Sequence, residues 1–176
     1  GPVHEEAIRN GRKTEKPDID GKLDDLKRDP NNARTHTPEQ VEQIAQSIME
    51  FGWTMPAAVD EIIRAGNCRH MAAELVYSRG DRIYMAPGKE AGGAIIPDGT
   101  MPYFDCTGWT EAQRQAYALA DNKLGDNSEF DDQAVAETMA RLESMDYDVA
   151  VTGFGQDEVD ELLKLTGGDQ RVPVMQ

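Results

Sequence analysis

Basic side chains are in short supply: eighteen Lys and Arg stand against thirty-three Asp and Glu, a formal net charge of −15. So acidic a chain repels a duplex of phosphates on average, which argues against non-specific nucleic-acid binding as its main business. The deficit is uneven. Residues 1–36 hold eight basic and eight acidic side chains, whereas 126–161 hold twelve acidic ones and only Arg141, so any DNA contact should involve the first half. Cysteine is scarcer still, and Cys68 and Cys106 are too few for a disulfide framework. No stretch is long or apolar enough for a membrane span or a signal peptide, so a reducing cytoplasm is the expected compartment. The segment GKEAGG, 88–93, lacks the Walker order of glycines followed by Lys-Ser/Thr and is not a P-loop. The chain has no Asn/Asp-Pro-Pro-Tyr/Phe methyltransferase motif and no internal repeat.

What is present suffices for a core: 176 residues, 39% hydrophobic and 29% charged, make one ordinary domain or a small domain with a helical extension. Gly1-Pro2 reads as the scar of a cleaved tag, and the polar run through Lys16 has no periodicity, so residues 1–16 are expected to be a disordered tail. Thr37-Pro38-Glu39-Gln40 predicts a capped helix start, followed by apolar Val41, Ile44, Ala45, Ile48 and Met49 on one face. Gly52 is placed to end that helix at a positive φ. A strand is predicted over Pro56 to Arg64, and a second helix from about Cys68 to Tyr77. Glycine and proline then crowd 78–108, which predicts turns, a long loop and a strand over Met101 to Cys106. Thr110-Glu111-Ala112-Gln113 repeats the capping box and opens a helix to about Leu124. Asp131 and Asp157 open two more, with Val135, Met139 and Leu142 on one face of the first. Strands followed by helices give an α+β layout with a helical C-terminal part. Trp53, between a helix and a strand, is expected to close the core rather than to stack on a base.

The strand–helix joint, EIIRAGNCRHMAAEL at 61–75, is the candidate site. A strand that turns through glycine into a helix exposes the first backbone N–H groups of that helix, and these with the dipole favour an anion. Gly66 permits the turn and a close approach, Asn67 is a candidate N-cap, Arg69 offers a forked donor for phosphate oxygens, and His70 could touch outer phosphates. Cys68 sits at the helix start beside Arg69, an environment that favours a thiolate. Each residue has a plainer reading: a surface arginine, a buried small cysteine, a histidine at the edge of the core.

In order along the chain come Pro30-Asn31-Asn32-Ala33-Arg34-Thr35-His36, the Ile-rich helix, Gly52-Trp53-Thr54-Met55-Pro56, a strand and the Gly66-Asn67-Cys68-Arg69 turn. This order resembles the N-terminal domain of the ParB/sulfiredoxin-like superfamily. With NARTH at 32–36, TEAQRQAYALADNKL at 110–124 and TGF at 152–154, it is most similar to the ParB-like, nuclease-labelled domains of phage and mobile-element DNA-modification proteins. Those relatives usually carry Gly-His-Gly-Arg where this chain has Gly66-Asn67-Cys68-Arg69. The resemblance implies a small mixed sheet with packed helices over 17–108, binding nucleotide, then a helical part over 109–165 and a tail over 166–176. It also implies a CTP or ATP triphosphate at the Gly–x–x–Arg turn, with Asp121 and Asn122 sharing Mg2+ and Lys123 neutralising charge. Arg34 would contact a phosphate, and His36 would line the pocket or move a proton; for both residues, capping of the preceding turn is an equal reading. The catalytic candidates are accordingly Arg69, His36 and Cys68.

Four functions stay open. The first is a nucleotide-binding domain with NTPase activity acting in a DNA-associated system. The second is a metal-dependent DNA nuclease, for which few carboxylates lie near the joint. The third is a non-catalytic targeting module that binds a protein of a DNA-modification or partition system. The fourth is thiol chemistry at Cys68, as the sulfiredoxin branch implies. Homodimerisation is open as well.

Overall fold

The computed structural model describes residues 21–32, 35–126 and 130–174, and the chain falls into two compact units, 1–125 and 126–176. In the first unit, helix α1 spans Pro38–Phe51 and begins at the capping box. The Thr37 hydroxyl accepts the Gln40 N–H at 3.2 Å, and the Gln40 side chain accepts the Thr37 N–H at 3.0 Å. Val41, Ala45 and Ile48 bury one stripe of this helix. Gly52 closes it with φ +79°, and a Cβ at that position would sit 2.6 Å from the Met85 carbonyl oxygen. Only glycine meets both conditions. Trp53 then plugs the core at 1% exposure, its indole N–H spent on the Met55 carbonyl, so it has no ring face to offer a base.

The single strand predicted over 56–64 is instead a hairpin. Strands β1 (Ala57–Val59) and β2 (Ile63–Ala65) pair antiparallel, and β3 (Tyr103–Asp105) joins the other side of β1 in parallel. The reversal is made by Asp60, whose carboxylate accepts the Ile62 N–H at 3.0 Å while its own N–H reaches the Ile62 carbonyl. An aspartate that bonds its backbone two residues on mimics a turn without glycine or proline. The three-stranded mixed sheet has the order β2-β1-β3, and its central strand is buried throughout. Ala57 and Val59 face a core shared with α1 and with α2 (Asn67–Ser78), whereas Ala58 faces Ala65, Cys106, Trp109 and Tyr117. Small side chains in β1 let backbone layers approach on both faces. The architecture is α+β.

Residues 79–102 hold no regular strand but are fastened to the end of α1. Trp53 exchanges hydrogen bonds with Tyr84 and Ala86, and Met85 bonds Ala94. Helix α3 (Glu111–Asp126) opens on a second capping box between Thr110 and Gln113. In the second unit, α4 (Asp132–Ser144) is capped by the Asp131 carboxylate, a 3-10 turn covers Val149–Thr152, and α5 (Gln156–Val174) follows Gly153 at φ +88°. Met139, Val149 and Val159 form its core, with Val135, Leu142, Phe154 and Leu163 packed around them. Among the described residues, no helix is long and apolar enough to cross a membrane.

Candidate anion-binding site

A single residue, Gly66, separates β2 from α2. It is the helix N-cap in a left-handed conformation, φ +103°, ψ +19°. A Cβ there would lie 2.8 Å from the Ala57 Cβ, so the glycine is required both by its φ and by the close passage of β1. The first intrahelical bond runs from the His70 N–H to the Gly66 carbonyl at 3.0 Å. The amides of 67–69 therefore lie ahead of the helical ladder, at the positive end of the dipole.

Asn67 is not the N-cap expected from the sequence; it is the first helical residue, and its side chain turns back on the sheet. Its Oδ1 accepts the Asp29 N–H at 3.0 Å and its Nδ2 donates to the Ile63 carbonyl at 3.1 Å, at 6% exposure. The amide thus ties the 29–32 loop to β2. His70 also faces inward, 3% exposed, with Nε2–H donating to the Leu23 carbonyl at 2.8 Å. Its Nδ1 lies 3.2 Å from Glu74 Oε1 without hydrogen-bonding geometry. Cys68 is buried at 8% exposure. His36 is half-buried just ahead of the α1 cap, and Arg34 lies outside the described residues.

Arg69 differs from these neighbours: it is half-buried, and no hydrogen bond or ion pair joins it to another described residue. It lines a small cavity of about 130 Å3 against Trp53 and the end of α1. Its field also reaches α3. Burial, then the Asp121 carboxylate, push the Tyr117 hydroxyl up, and Arg69 pulls it back. The guanidinium and the Asp121 carboxylate thus act on one tyrosine with opposite sign, while no hydrogen bond or ion pair joins them to each other among the described residues. Asn122, one position on, donates to the Ala118 carbonyl at 3.0 Å and lines a separate cavity of about 400 Å3. That cavity presents the carboxamides of Asn31, Asn32 and Gln115, the carboxylates of Asp29 and Glu111, and the Arg64 guanidinium, which is already paired with Asp60 and Glu111. Lys123 is exposed. Among the described residues, no three His, Cys, Asp or Glu side chains group so as to hold a metal, so Mg2+ would need phosphate oxygens to complete its ligands.

The sequence reading missed a cluster that fixes α3 against the hairpin. Asp60, with a side chain 2% exposed, takes a forked pair of bonds from Arg64 at 3.1 and 3.0 Å and a third from Arg114 at 2.6 Å. Burial pushes this carboxyl up, but the Arg64 bonds, the Ile62 amide and Arg114 together hold it well below the usual carboxylate range. Arg64 also reaches Glu111 at 3.1 Å. The hairpin supplies Asp60 and Arg64, and α3, 54 positions on from Asp60 at Arg114, supplies the rest, so no local pattern betrays the cluster.

Comparisons with known proteins bear on the family and the fold. A model of the ParB-methyltransferase HTH domain matches residues 133–174, which include most of α4 and all of α5. The ParB-like nuclease domain-containing protein YnaK of Escherichia coli (strain K12) is 50% identical over 56 residues, 31% of this chain and 64% of that protein. The match therefore spans just under two thirds of that relative. The crystal structure of the C-terminally truncated chromosome-partitioning protein ParB from Caulobacter crescentus, complexed with CTP-gamma-S, superposes with a TM-score of 0.55. It covers 87% of this chain and 86% of that one at 16% identity, a likeness of fold. The sequence reading assigned no helix-turn-helix to residues 133–174; this stretch is acidic, whereas a DNA reader is ordinarily found by a basic face.

Proposed function

We propose, on the premise that this chain is a member of the ParB-like superfamily, that its first unit binds a nucleoside triphosphate, CTP or ATP, with Mg2+. The polyphosphate lies at the start of α2. The observation that carries this reading is the Arg69 guanidinium in the first turn of that helix, half-buried and joined to no hydrogen-bond or ion-pair partner among the described residues. A half-buried guanidinium without an acceptor is costly, and an anion relieves the cost. The CTP-gamma-S complex of the Caulobacter protein supports the choice of ligand. Mg2+, when bound, would neutralise the phosphates, and Asp121 is the carboxylate to which we assign a share in it. Asn67 and His70 serve the site indirectly, by holding the loop and the helix in place. The 400 Å3 cavity, with its carboxamides and two carboxylates, suits an uncharged nucleoside better than phosphates. NTP hydrolysis is a further part of this proposal, with Arg69 stabilising charge.

The setting proposed is a DNA-associated system of a phage or mobile element, on the strength of the helix-turn-helix match and the YnaK name. The second unit carries Asp157, Glu158, Asp160 and Glu161 in the first turns of α5, so contact with DNA would need a partner protein or a second copy to supply positive charge. Thermal unfolding followed by tryptophan fluorescence tests the nucleotide reading. Wild-type protein should melt higher with CTP or ATP and Mg2+, and Arg69→Ala should not respond.

YnaK's name supports a nuclease as the second reading. Two-metal cleavage needs clustered carboxylates, and the described residues offer no such group. Plasmid incubated with Mg2+ or Mn2+ decides it: cutting by wild type but not by Asp121→Ala favours the nuclease, and equal cutting by both removes it.

A further inference from the structure

The second unit exposes an aromatic ring that its own packing does not account for. Phe130 stands one residue ahead of the Asp131 cap of α4, a place from which an apolar side chain can staple itself to the fourth helical residue, yet it stays 71% exposed. It rests edge-on against Phe154, ring centroids 5.3 Å apart and planes inclined at 62°, a geometry in which two rings attract. Phe154 is half-buried and packs on the core of Met139, Val149 and Val159. The pair is therefore anchored at one ring and open at the other. The Glu158 carboxylate is folded toward the residue after Phe154: a Cβ on Gly155 would lie 3.7 Å from its Oε1. The side chains of Asp157 and Glu158 join no hydrogen bond or ion pair among the described residues.

Chemistry narrows the occupant. Two rings set at an angle with a carboxylate close by suit a cation, whose charge is drawn to the ring faces and to the carboxylate alike. An anion does not fit, because residues 126–161 carry twelve acidic side chains against Arg141 alone. In a helix-turn-helix the start of the second helix reads base edges, but the start of α5 offers Asp157 and Glu158, which repel phosphates. We propose that Phe130, Phe154 and Glu158 form a seat for a lysine or arginine side chain of a cationic protein segment, so that this unit grips a protein partner rather than DNA. The seat lies wholly in the second unit and does not depend on nucleotide binding in the first.

The test is fluorescence anisotropy of the full chain against labelled probes: an alanine-based helical peptide with arginines along one face, its glutamate counterpart, and a DNA duplex. Circular dichroism verifies that each variant keeps its helices. A cation held against a ring away from water is worth about tenfold in affinity. Wild type should bind the arginine peptide more tightly than either other probe, by about tenfold or more. Phe130→Ala and Phe130→Leu should each lose about tenfold, whereas Phe130→Tyr, which keeps the ring face, should bind as wild type does. Glu158→Gln should lose severalfold, and Glu143→Gln, the same charge change at the far end of α4, should bind as wild type does. Undiminished binding by Phe130→Ala, equal losses from Glu158→Gln and Glu143→Gln, or duplex DNA bound as tightly as the arginine peptide would overturn the seat. So would a wild type that binds no arginine peptide.

Discussion

Asp60→Asn tests whether the buried ion cluster fastens α3 to the sheet. The substitution keeps the shape but removes the charge that two guanidiniums share. Arg64 and Arg114 side chains are 15% and 21% exposed, so water relieves part of their loss, and Arg64 retains Glu111. Breaking a buried pair costs about 3–5 kcal/mol, and this partial exposure places the expected loss near 3 kcal/mol. For a unit of this size each kcal/mol moves Tm by about 4 °C, which gives a drop of roughly 12 °C. The assay is urea unfolding followed by tryptophan fluorescence, which reports the first unit alone because Trp53 and Trp109 are the only two tryptophans. The pH dependence supplies a second check. The folded pKa of Asp60 is depressed below an unfolded value of about 3.9. Its contribution is therefore fully present above about pH 4 and is lost as pH falls toward the folded pKa. The gap between wild type and variant should be constant from about pH 5 to 8 and close below about pH 4. A gap under about 0.5 kcal/mol at pH 7, or one that persists undiminished into acid, would falsify the assignment.

Other perturbations reach the site itself. With nucleotide at about one hundred times Kd, binding adds about 2.7 kcal/mol and should raise the Tm by roughly 10 °C, while Arg69→Ala should show no rise at the same concentration. Gly66→Ala forces a methyl group into the left-handed region against Ala57 and should cost about 2–4 kcal/mol in urea unfolding; a loss below about 0.5 kcal/mol would mean that β1 and the helix start are less tightly joined. Burial, then the Asp60 carboxylate, push the Cys106 thiol up to about 11. In a Cys68→Ala background, iodoacetamide at pH 8 should therefore modify Cys106 only as fast as the first unit unfolds, and rapid labelling of native protein would show the thiol to be accessible.

How much was legible in the sequence depended on the range of the forces involved. Both capping boxes, at Thr37 and Thr110, formed as read because they bond within three residues. The stripes on α1 and α4 were likewise local. The hairpin was hidden because Asp60 makes the turn with its side chain, with no glycine or proline at the reversal. Asn67 suited an N-cap by residue preference, yet the Asp29 amide, thirty-eight positions away, claimed its carbonyl oxygen. His70 was drawn inward by the Leu23 carbonyl, forty-seven positions away. Gly66 and Arg69 were legible as a turn and a donor, but the reach of the Arg69 charge to Tyr117 on α3 needed the fold. The similarity of residues 133–174 to a helix-turn-helix family had no counterpart in the sequence reading because this acidic stretch lacks the charge pattern by which such motifs are ordinarily found.

Titration calorimetry of CTP, ATP, GTP and UTP with Mg2+, run in parallel on wild type and Arg69→Ala, addresses the central claim most directly. Saturable heat with CTP or ATP on the wild type, absent from the variant, is the expected result. Flat titrations with all four nucleotides, or equal affinity in wild type and Arg69→Ala, would contradict it.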